Sequence, residues 1–284
     1  MMQNLTVLGT GTLGSQIIFQ SAFKGKNVVA YDISDEILAK LPARWEQIKE
    51  QYKADLPDTD PKALDDAVTR IRTTADMKDA LKDADIVIEA VPERLDIKQD
   101  TWKKVSENAP AKTIFCTNSS TLPPSKIAPF TDRPDKFLCL HFANHVWKFN
   151  TGEVMMQPKT DPAVFEEVAK FAEEIGMVPI RIKKEQPGYV LNSLLVPFLN
   201  DAGKLWVKGV ASIEDIDATW RIATGAPTGP FQIDDAIGMM TMYNIDKDSE
   251  DPDIREFANR MKTDYIDKGY MGKNAGRGFY NYQD

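Results

Sequence analysis

The sequence predicts an α/β fold in which a parallel-sheet domain is followed by an all-α domain. Apolar, β-branched strand segments alternate with helical segments up to residue 185, whereas after the break Gln186-Pro187-Gly188 the chain is almost wholly helical. The length of 284 residues also favours two domains, because one domain typically takes about 100–200 residues. We therefore predict a sheet domain of residues 1–185 and a helical domain of residues 186–284.

The first sixty residues justify the parallel sheet. Residues 4–9, NLTVLG, are typical of a buried strand, the helical pattern GSQIIFQSAFKGK follows, and residues 27–32, NVVAYD, predict a second strand. Such a βαβ unit closes right-handed and builds a parallel sheet.

The rest of the first domain continues with shorter elements. For residues 51–84 we predict a loop, a short helix and a turn. Later strands are predicted at DIVIEAV, KTIFCTN, KFLCLHF and VPIRIK, with helical patterns between most of them.

Composition excludes several classes of protein. With 42% hydrophobic and 27% charged residues the chain is neither collagen-like, nor disordered, nor a disulfide-rich scaffold. The net charge of -8 argues against a nucleic-acid partner, which would need a basic surface. The most apolar stretch, residues 189–199, is far shorter than the about 20 residues of a membrane span. The start MMQNLTVLG lacks a signal-peptide pattern, so we expect a cytoplasmic protein that binds small molecules.

A glycine turn after the first strand predicts a dinucleotide site. GTGTLG matches GxGxxG, and Asp32 ends the second strand at about the 20-residue distance that a Rossmann-like domain requires. The glycines allow a tight turn and close approach of a pyrophosphate to a helix N-terminus. The Asp32 carboxylate suits the ribose hydroxyls of NAD and would repel the extra phosphate of NADP. The predicted NAD-binding residues of this unit are Gly9, Gly11, Thr12, Leu13, Gly14 and Asp32.

The two histidines of the chain, His141 and His145, lie in LHFANH at the end of a predicted strand. Residues four apart on a strand are separated by about 13 Å, so the pair with Glu153 does not suit one metal ion. The two cysteines, Cys116 and Cys139, lie in apolar runs and are expected to be buried thiols. No metal site is predicted. A strand-end histidine after a dinucleotide fold, with a carboxylate nearby, instead suggests a general base and its orienting partner.

The chain resembles the 3-hydroxyacyl-CoA dehydrogenase family along nearly its whole length. The matching stretches are VLGTGTLGSQI with AYD, ADIVIEAVPERLDIK, TNSSTLPPSKIA, LHFAN, EVM, QPGYVLNSLLVPFLNDA, ASIEDIDATWRIATGAPTGPFQIDD and GRGFYNY. The resemblance implies an NAD-binding Rossmann-like domain, a helical domain that forms a homodimer interface, and a role in fatty acid metabolism.

Carried over position by position, the resemblance implies that His141 is the catalytic histidine and Glu153 its hydrogen-bonded partner. It implies that Ser120 contacts the substrate oxygen and that Asn192 helps to hold the acyl group. Further NAD contacts are implied for Glu93, Lys98 and Asn144. The alternative for Ser120 is a helix cap, and the alternative for Glu153 is a solvated carboxylate at a strand edge.

The sequence departs from the family at positions near the substrate. His145 and the segment VWKFNTGEV stand where the family has a proline and an apolar loop. Ile48 and Asp55 fall where the family has a serine and a lysine that contact CoA, and Lys49 and Lys53 are the nearby candidates for that role. Near the end of the chain, Asn274 stands in place of a lysine close to the cofactor, with Lys273 beside it.

Three functions therefore stay open. The first is an NAD-dependent 3-hydroxyacyl-CoA dehydrogenase, which interconverts 3-hydroxyacyl-CoA and 3-ketoacyl-CoA by hydride transfer. The second is the same chemistry on a free 3-hydroxy acid or another small hydroxylated metabolite. The third is an NAD(H)-binding structural or regulatory protein without turnover, which the complete set Ser120, His141, Glu153 and Asn192 disfavours.

Overall fold

The computed structural model describes residues 2–283. Their internal contacts divide them into two units, residues 2–190 and residues 191–283. The first unit is built on eight strands. They are β1 (Asn4–Leu8), β2 (Asn27–Tyr31), β3 (Ile71–Thr74), β4 (Ile86–Glu89), β5 (Ile114–Thr117), β6 (Phe137–Phe142), β7 (Thr151–Met155) and β8 (Val178–Ile182). Its helices are α1 (Thr12–Phe23), α2 (Asp35–Leu38), α3 (Leu41–Asp55), α4 (Pro61–Val68), α5 (Met77–Leu81), α6 (Leu95–Asn108), α7 (Pro124–Ile127) and α8 (Pro162–Glu174).

The eight strands form one sheet in the order β3-β2-β1-β4-β5-β6-β7-β8. All neighbours are parallel except β6 and β7, which are antiparallel. The predicted α/β class, a mostly parallel Rossmann-like sheet followed by helices, is confirmed. Two strands, β3 and β7, are not predicted by the sequence patterns. β3 lies at an edge of the sheet and is partly exposed, and β7 carries a glycine and a glutamate that hide its strand pattern.

Apolar side chains cover both faces of the sheet. Ile86 and Ile88 belong to a core cluster with α1, α3 and α8, whereas Val87 between them belongs to a cluster around Trp102 of α6. This alternation follows from the two-residue period of a strand buried on both sides. Cys116 and Cys139 are buried and free, as predicted.

The second unit is helical, with α9 (Tyr189–Val207, which begins two residues before the division), α10 (Ile213–Thr224), α11 (Pro230–Ile237), α12 (Met239–Asp246) and α13 (Pro252–Asp264). Its core is aromatic: the rings of Trp206, Phe231, Phe257 and Phe279 contact one another. Gly203 allows this packing, since a Cβ there would lie 2.5 Å from the Phe257 ring. No helix within residues 2–283 is long and apolar enough to cross a bilayer.

Buried aspartates tie the second unit together, and two of them have an unbonded oxygen. Asp217 accepts hydrogen bonds from the backbone of Phe231 at 2.9 Å and from the Tyr280 hydroxyl at 3.0 Å. In contrast, Asp234 Oδ1 and Asp246 Oδ2 are buried without a hydrogen-bond partner in the described part of the chain. Burial raises the pKa of Asp246 to about 6, although a hydrogen bond with Asn200 opposes the shift.

We predict that Asp246→Asn stabilises the protein more at pH 8 than at pH 5. The pKa of Asp246 is higher in the folded chain than in the unfolded chain, so ionisation of this group costs stability as pH rises from about 4 to about 6. Removing the carboxyl should therefore increase the free energy of unfolding at pH 8, relative to pH 5, by about 1–2 kcal/mol. Urea unfolding at both pH values measures the difference.

The matched control is Asp248→Asn, which removes an exposed carboxylate two residues away. This variant should change the two unfolding free energies equally. A gain for Asp246→Asn that is the same at both pH values would contradict the prediction.

Candidate active site

The antiparallel pair β6–β7 places His141 directly opposite Glu153. Directly opposed residues of antiparallel strands project from the same face of the sheet, so the two side chains meet. His141 Nδ1 lies 3.0 Å from Glu153 Oε2, and both residues are buried, with 7% and 4% exposure. A buried carboxylate in this position fixes the orientation of the ring and favours the tautomer with the proton on Nδ1.

Ser120 lies on the other side of the imidazole. It follows β5 in a loop, and its Oγ is 3.1 Å from His141 Nε2. Serine hydroxyl, imidazole and carboxylate therefore form one hydrogen-bonded line. With Nδ1 held by Glu153, Nε2 is the nitrogen that can exchange a proton with a group beside Ser120.

Glu93 holds the loop that carries Ser120. Its Oε1 accepts hydrogen bonds from Ser119 Oγ at 2.5 Å, Thr121 N at 2.8 Å and Leu122 N at 3.3 Å. Burial alone would raise the pKa of Glu93, but the Ser119 hydrogen bond, the Lys98 charge and the Thr121 hydrogen bonds lower it to about 2. The loop around Ser120 is thus built on a carboxylate that stays ionised.

Lys98 joins Glu93, which is partly accessible, to the buried carboxylate of Glu89. Lys98 Nζ lies 2.6 Å from Glu89 Oε1 and 3.2 Å from Glu93 Oε2, and Lys98 and Glu89 are almost completely buried. Glu89 also accepts a hydrogen bond from the Thr117 hydroxyl at 2.8 Å. A buried charge pair survives only with such full hydrogen bonding, so this network makes the end of β4 and β5 rigid.

The glycine turn has the shape that a dinucleotide requires. A Cβ on Gly9 would lie 2.6 Å from the Ala90 carbonyl oxygen. A Cβ on Gly14 would lie 2.0 Å from the Gly9 carbonyl oxygen. A Cβ on Gly11 would meet nothing within 4 Å, which leaves open space over the first turn of α1. The turn therefore presents backbone N–H groups to that space.

Two cavities meet at this turn and run along the ends of the strands. One of about 670 Å³ contains Asp32, the other of about 160 Å³ reaches Ser120, and both are lined by Gly11 and Val91. The smaller cavity is also lined by Thr12, Leu13, Gly14, Glu93 and Lys98. Together they trace a groove from the Asp32 carboxylate to Ser120, which fits an extended dinucleotide.

Other predicted residues lie at the edges of this arrangement. Asp32 Oδ2 accepts hydrogen bonds from Thr10 N at 2.8 Å and Thr10 Oγ1 at 2.6 Å, which orient the carboxylate at the end of β2. Asn144 is exposed in the loop after β6. Asn192 lies in the first part of α9, in the second unit, and is partly exposed.

His145 does not join His141 but bonds a different carboxylate. His145 Nδ1 lies 3.1 Å from Asp55 Oδ2, which also accepts from Trp147 Nε1 at 2.9 Å, and Lys148 Nζ lies 2.6 Å from Asp55 Oδ1. Hydrogen bonding from Lys148 lowers the pKa of Asp55 to about 2, with smaller contributions from His145 and Trp147. Asp55 thus anchors the end of α3 to the loop after β6, in a cluster that we call the Asp55 clamp (Asp55, His145, Trp147 and Lys148).

The backbone explains why a proline would not fit at position 145. His145 has φ of +59°, in the left-handed region, whereas proline is restricted to about -65°. Its N–H also donates to Gln16 Oε1 at 2.7 Å, and proline has no such donor. The exchange of proline for histidine therefore belongs to a different loop conformation.

The lysines expected to serve as phosphate ligands already have carboxylate partners. Lys49 is buried, and its Nζ lies 2.8 Å from Glu46 and 2.7 Å from Asp65. Lys53 Nζ lies 2.7 Å from Glu50. Ile48 belongs to the core. This part of α3 therefore presents little uncompensated positive charge.

Tyr189 is a residue of the site that the sequence patterns do not predict. It is buried with 2% exposure, and its ring is stacked on the His141 ring, with centroids 4.3 Å apart and planes 13° apart. The break QPG directly before an apolar helix is the only sequence signal at this position. Among residues 2–283, no group of three or more His, Cys, Asp or Glu side chains is placed to hold a metal ion.

Comparison with known proteins identifies the family. Residues 4–186 match the 3-hydroxyacyl-CoA dehydrogenase NAD binding domain, and residues 188–282 match the C-terminal domain of that family. The mitochondrial hydroxyacyl-coenzyme A dehydrogenase of Sus scrofa is 33% identical over 100% of this chain and 92% of its own. The 3-hydroxybutyryl-CoA dehydrogenase of Clostridioides difficile is 31% identical over 98% of this chain and 99% of its own.

A solved structure of a diketoreductase, described as performing substrate-directed dual catalysis of dicarbonyl compounds, is more similar. It is 55% identical, covers 99% of both chains and has a TM-score of 0.95. The predicted family and the predicted cofactor, NAD, are both confirmed by the matches over the two domains. The chain belongs to the 3-hydroxyacyl-CoA dehydrogenase family of NAD-dependent oxidoreductases.

Proposed function

We propose that this protein interconverts a 3-hydroxy group and a 3-keto group, with His141 as the general acid–base residue. The observation that carries the proposal is the buried line from Ser120 through His141 to Glu153, with 3.1 Å and 3.0 Å between successive partners. The cavity beside Ser120 adjoins the glycine turn, so a substrate carbonyl there would lie next to the cofactor groove.

Three residues of the groove suit NAD. Gly11 leaves space for a phosphate to approach its backbone, Asp32 offers a carboxylate to the ribose hydroxyls, and Glu93 orders the adjoining loop. Bound NAD supplies the hydride acceptor for oxidation, and NADH supplies the donor for reduction. His141 Nε2 takes the hydroxyl proton of the substrate in one direction and returns it in the other. Glu153 stabilises the imidazolium that forms, and the Ser120 hydroxyl holds the reacting oxygen. We assign Asn192 a supporting contact with that oxygen, on the basis of the family motif.

We predict that His141→Asn reduces kcat by about 10²-fold or more, because a positioned acid–base group typically contributes this much. Glu153→Gln should also reduce kcat, since an amide stabilises the imidazolium less than a carboxylate does. NADH binding, measured by fluorescence titration, should change little in both variants. Near-normal turnover of His141→Asn with loss of turnover in His145→Asn would assign the acid–base role to His145 instead.

For the substrate we propose compact dicarbonyl compounds and the corresponding hydroxy compounds. Two observations support this choice: the diketoreductase is 55% identical to this chain, and the lysines of α3 are compensated by their own carboxylates. A CoA thioester would bring several phosphate charges, which need cationic partners. The overall charge of -8 would make such binding less favourable.

The second candidate substrate is a 3-hydroxyacyl-CoA. Curated relatives with CoA-linked names are 31–33% identical over nearly the whole chain, which favours this candidate. The acid–base chemistry is the same for both substrates. The two candidates therefore differ only in the protein residues that would bind the substrate beyond its reacting carbonyl group.

We predict a higher kcat/KM for a 3,5-diketo ester or ethyl acetoacetate than for acetoacetyl-CoA, measured as loss of NADH absorbance. Acetoacetate serves as the unesterified control. The opposite order would select the CoA substrate. In that case Lys49→Ala with Lys53→Ala should raise KM for acetoacetyl-CoA and leave kcat nearly unchanged, because remote contacts bind substrate and transition state equally.

We further propose a homodimer formed through the second unit. Large apolar side chains are exposed there: Leu194 by 69%, Val210 by 65% and Ile222 by 84%. Burial of such side chains against a second copy of the chain would be favourable. Light scattering at micromolar concentration should give twice the mass of 31.9 kDa. Ile222→Lys should shift the mass toward that of the monomer, and a monomeric mass for the unmodified protein would contradict the proposal.

A further inference from the structure

Tyr189 is placed in a backbone conformation that tyrosine rarely adopts. Its φ is +57°, and Tyr189 and His145 are the non-glycine residues with positive φ in the described chain. A left-handed conformation brings Cβ close to the backbone and is unfavourable for such a bulky residue. The preceding Gly188 has φ of +80°, and Tyr189 N donates to Gln186 O at 3.0 Å, so a tight turn imposes the conformation. Strain of this kind is maintained where the side chain is needed in one position.

From this turn, residues 189 and 190 contact His141, Glu153 and the residue that precedes Ser120. The Tyr189 ring is stacked on the His141 imidazole at 4.3 Å. Its hydroxyl donates to the Ser119 carbonyl, in the peptide that leads into Ser120. The next backbone N–H, that of Val190, donates to Glu153 Oε1 at 3.0 Å, while Glu153 Oε2 faces His141.

We infer that Tyr189 is a positioning residue that holds the His141 ring between Ser120 and Glu153 and favours its protonated form. The inference rests on the proposed acid–base role of His141. The face of an aromatic ring attracts a cation, and this attraction is strongest where water is excluded, as it is around the buried Tyr189 and His141. The hydroxyl bond to Ser119 fixes the distance between the tyrosine ring and the serine loop.

Other charged groups near the imidazole also act on its protonation. Glu153 is bonded directly to His141. Glu93 holds the serine loop, and Lys98 pairs with Glu93 and Glu89. Burial raises the pKa of the Tyr189 phenol, so this group stays neutral throughout an ordinary assay range and adds no charge of its own.

The test compares Tyr189→Phe with Tyr189→Leu in the full-length protein. The phenylalanine variant keeps the ring and loses the hydroxyl, whereas the leucine variant loses both.

In the oxidation direction, the rate rises with pH as the base becomes neutral. Tyr189→Leu should move the midpoint of this rise to lower pH by about half a unit or more, because the protonated form loses its aromatic neighbour. In the same direction it should also reduce kcat by about tenfold with little change in KM for NAD. Tyr189→Phe should keep the pH midpoint of the unmodified protein and most of its kcat.

Phe171→Leu is the matched control, because Phe171 is a buried aromatic residue of α8 in the same unit. It should lower thermal stability to a similar extent and leave the pH midpoint in place. If Tyr189→Leu also leaves the midpoint unchanged, Tyr189 has only a packing role and the inference is overturned. That outcome differs from failure of the proposed function, in which His141→Asn would retain turnover.

Discussion

The antiparallel pairing of β6 with β7 is the constraint on which the site depends. In a sheet that is otherwise parallel, this one reversal brings the strand after His141 back along it, so that Glu153 lies opposite the histidine. A one-residue shift in register would turn Glu153 to the other face of the sheet, because side chains alternate along a strand. The apolar neighbours Leu140 and Val154, themselves paired and buried, make such a shift costly. Packing of the sheet thus defines the geometry of the His141–Glu153 pair.

The serine side of the site depends on buried charge rather than on apolar packing. Glu89, Lys98 and Glu93 form a chain of ion pairs from β4 to the loop after β5. Lys98 and Glu89 are almost completely buried, so either of them without the other would be an uncompensated buried charge. Their common effect is to order backbone N–H groups and hydroxyls around Ser120. Loops that carry reacting groups usually need such rigid support from the scaffold.

The Asp55 clamp is a second set of polar contacts, separate from the line of Ser120, His141 and Glu153. At the Asp55 clamp, a left-handed histidine, a tryptophan N–H and a lysine all point to one carboxylate. Within the clamp, the charge of Lys148 is paired with the Asp55 carboxylate. Because the clamp is separate from that line, the two sets of contacts can vary independently.

The sequence by itself determined the α/β class, the family and NAD, because strand periodicity and a glycine turn are local patterns and the family motifs occur in order. It also identified His141, Glu153 and Ser120 as candidates, though not how they meet. Tertiary structure alone decided that β7 is antiparallel, that Lys49 is neutralised by Glu46 and Asp65, and that Tyr189 covers the imidazole. These features depend on contacts between residues far apart in the chain: β6 with β7, Lys49 with Asp65, and Tyr189 with His141. Local sequence patterns do not specify such contacts, since the same residues are compatible with several partners until the sheet is assembled.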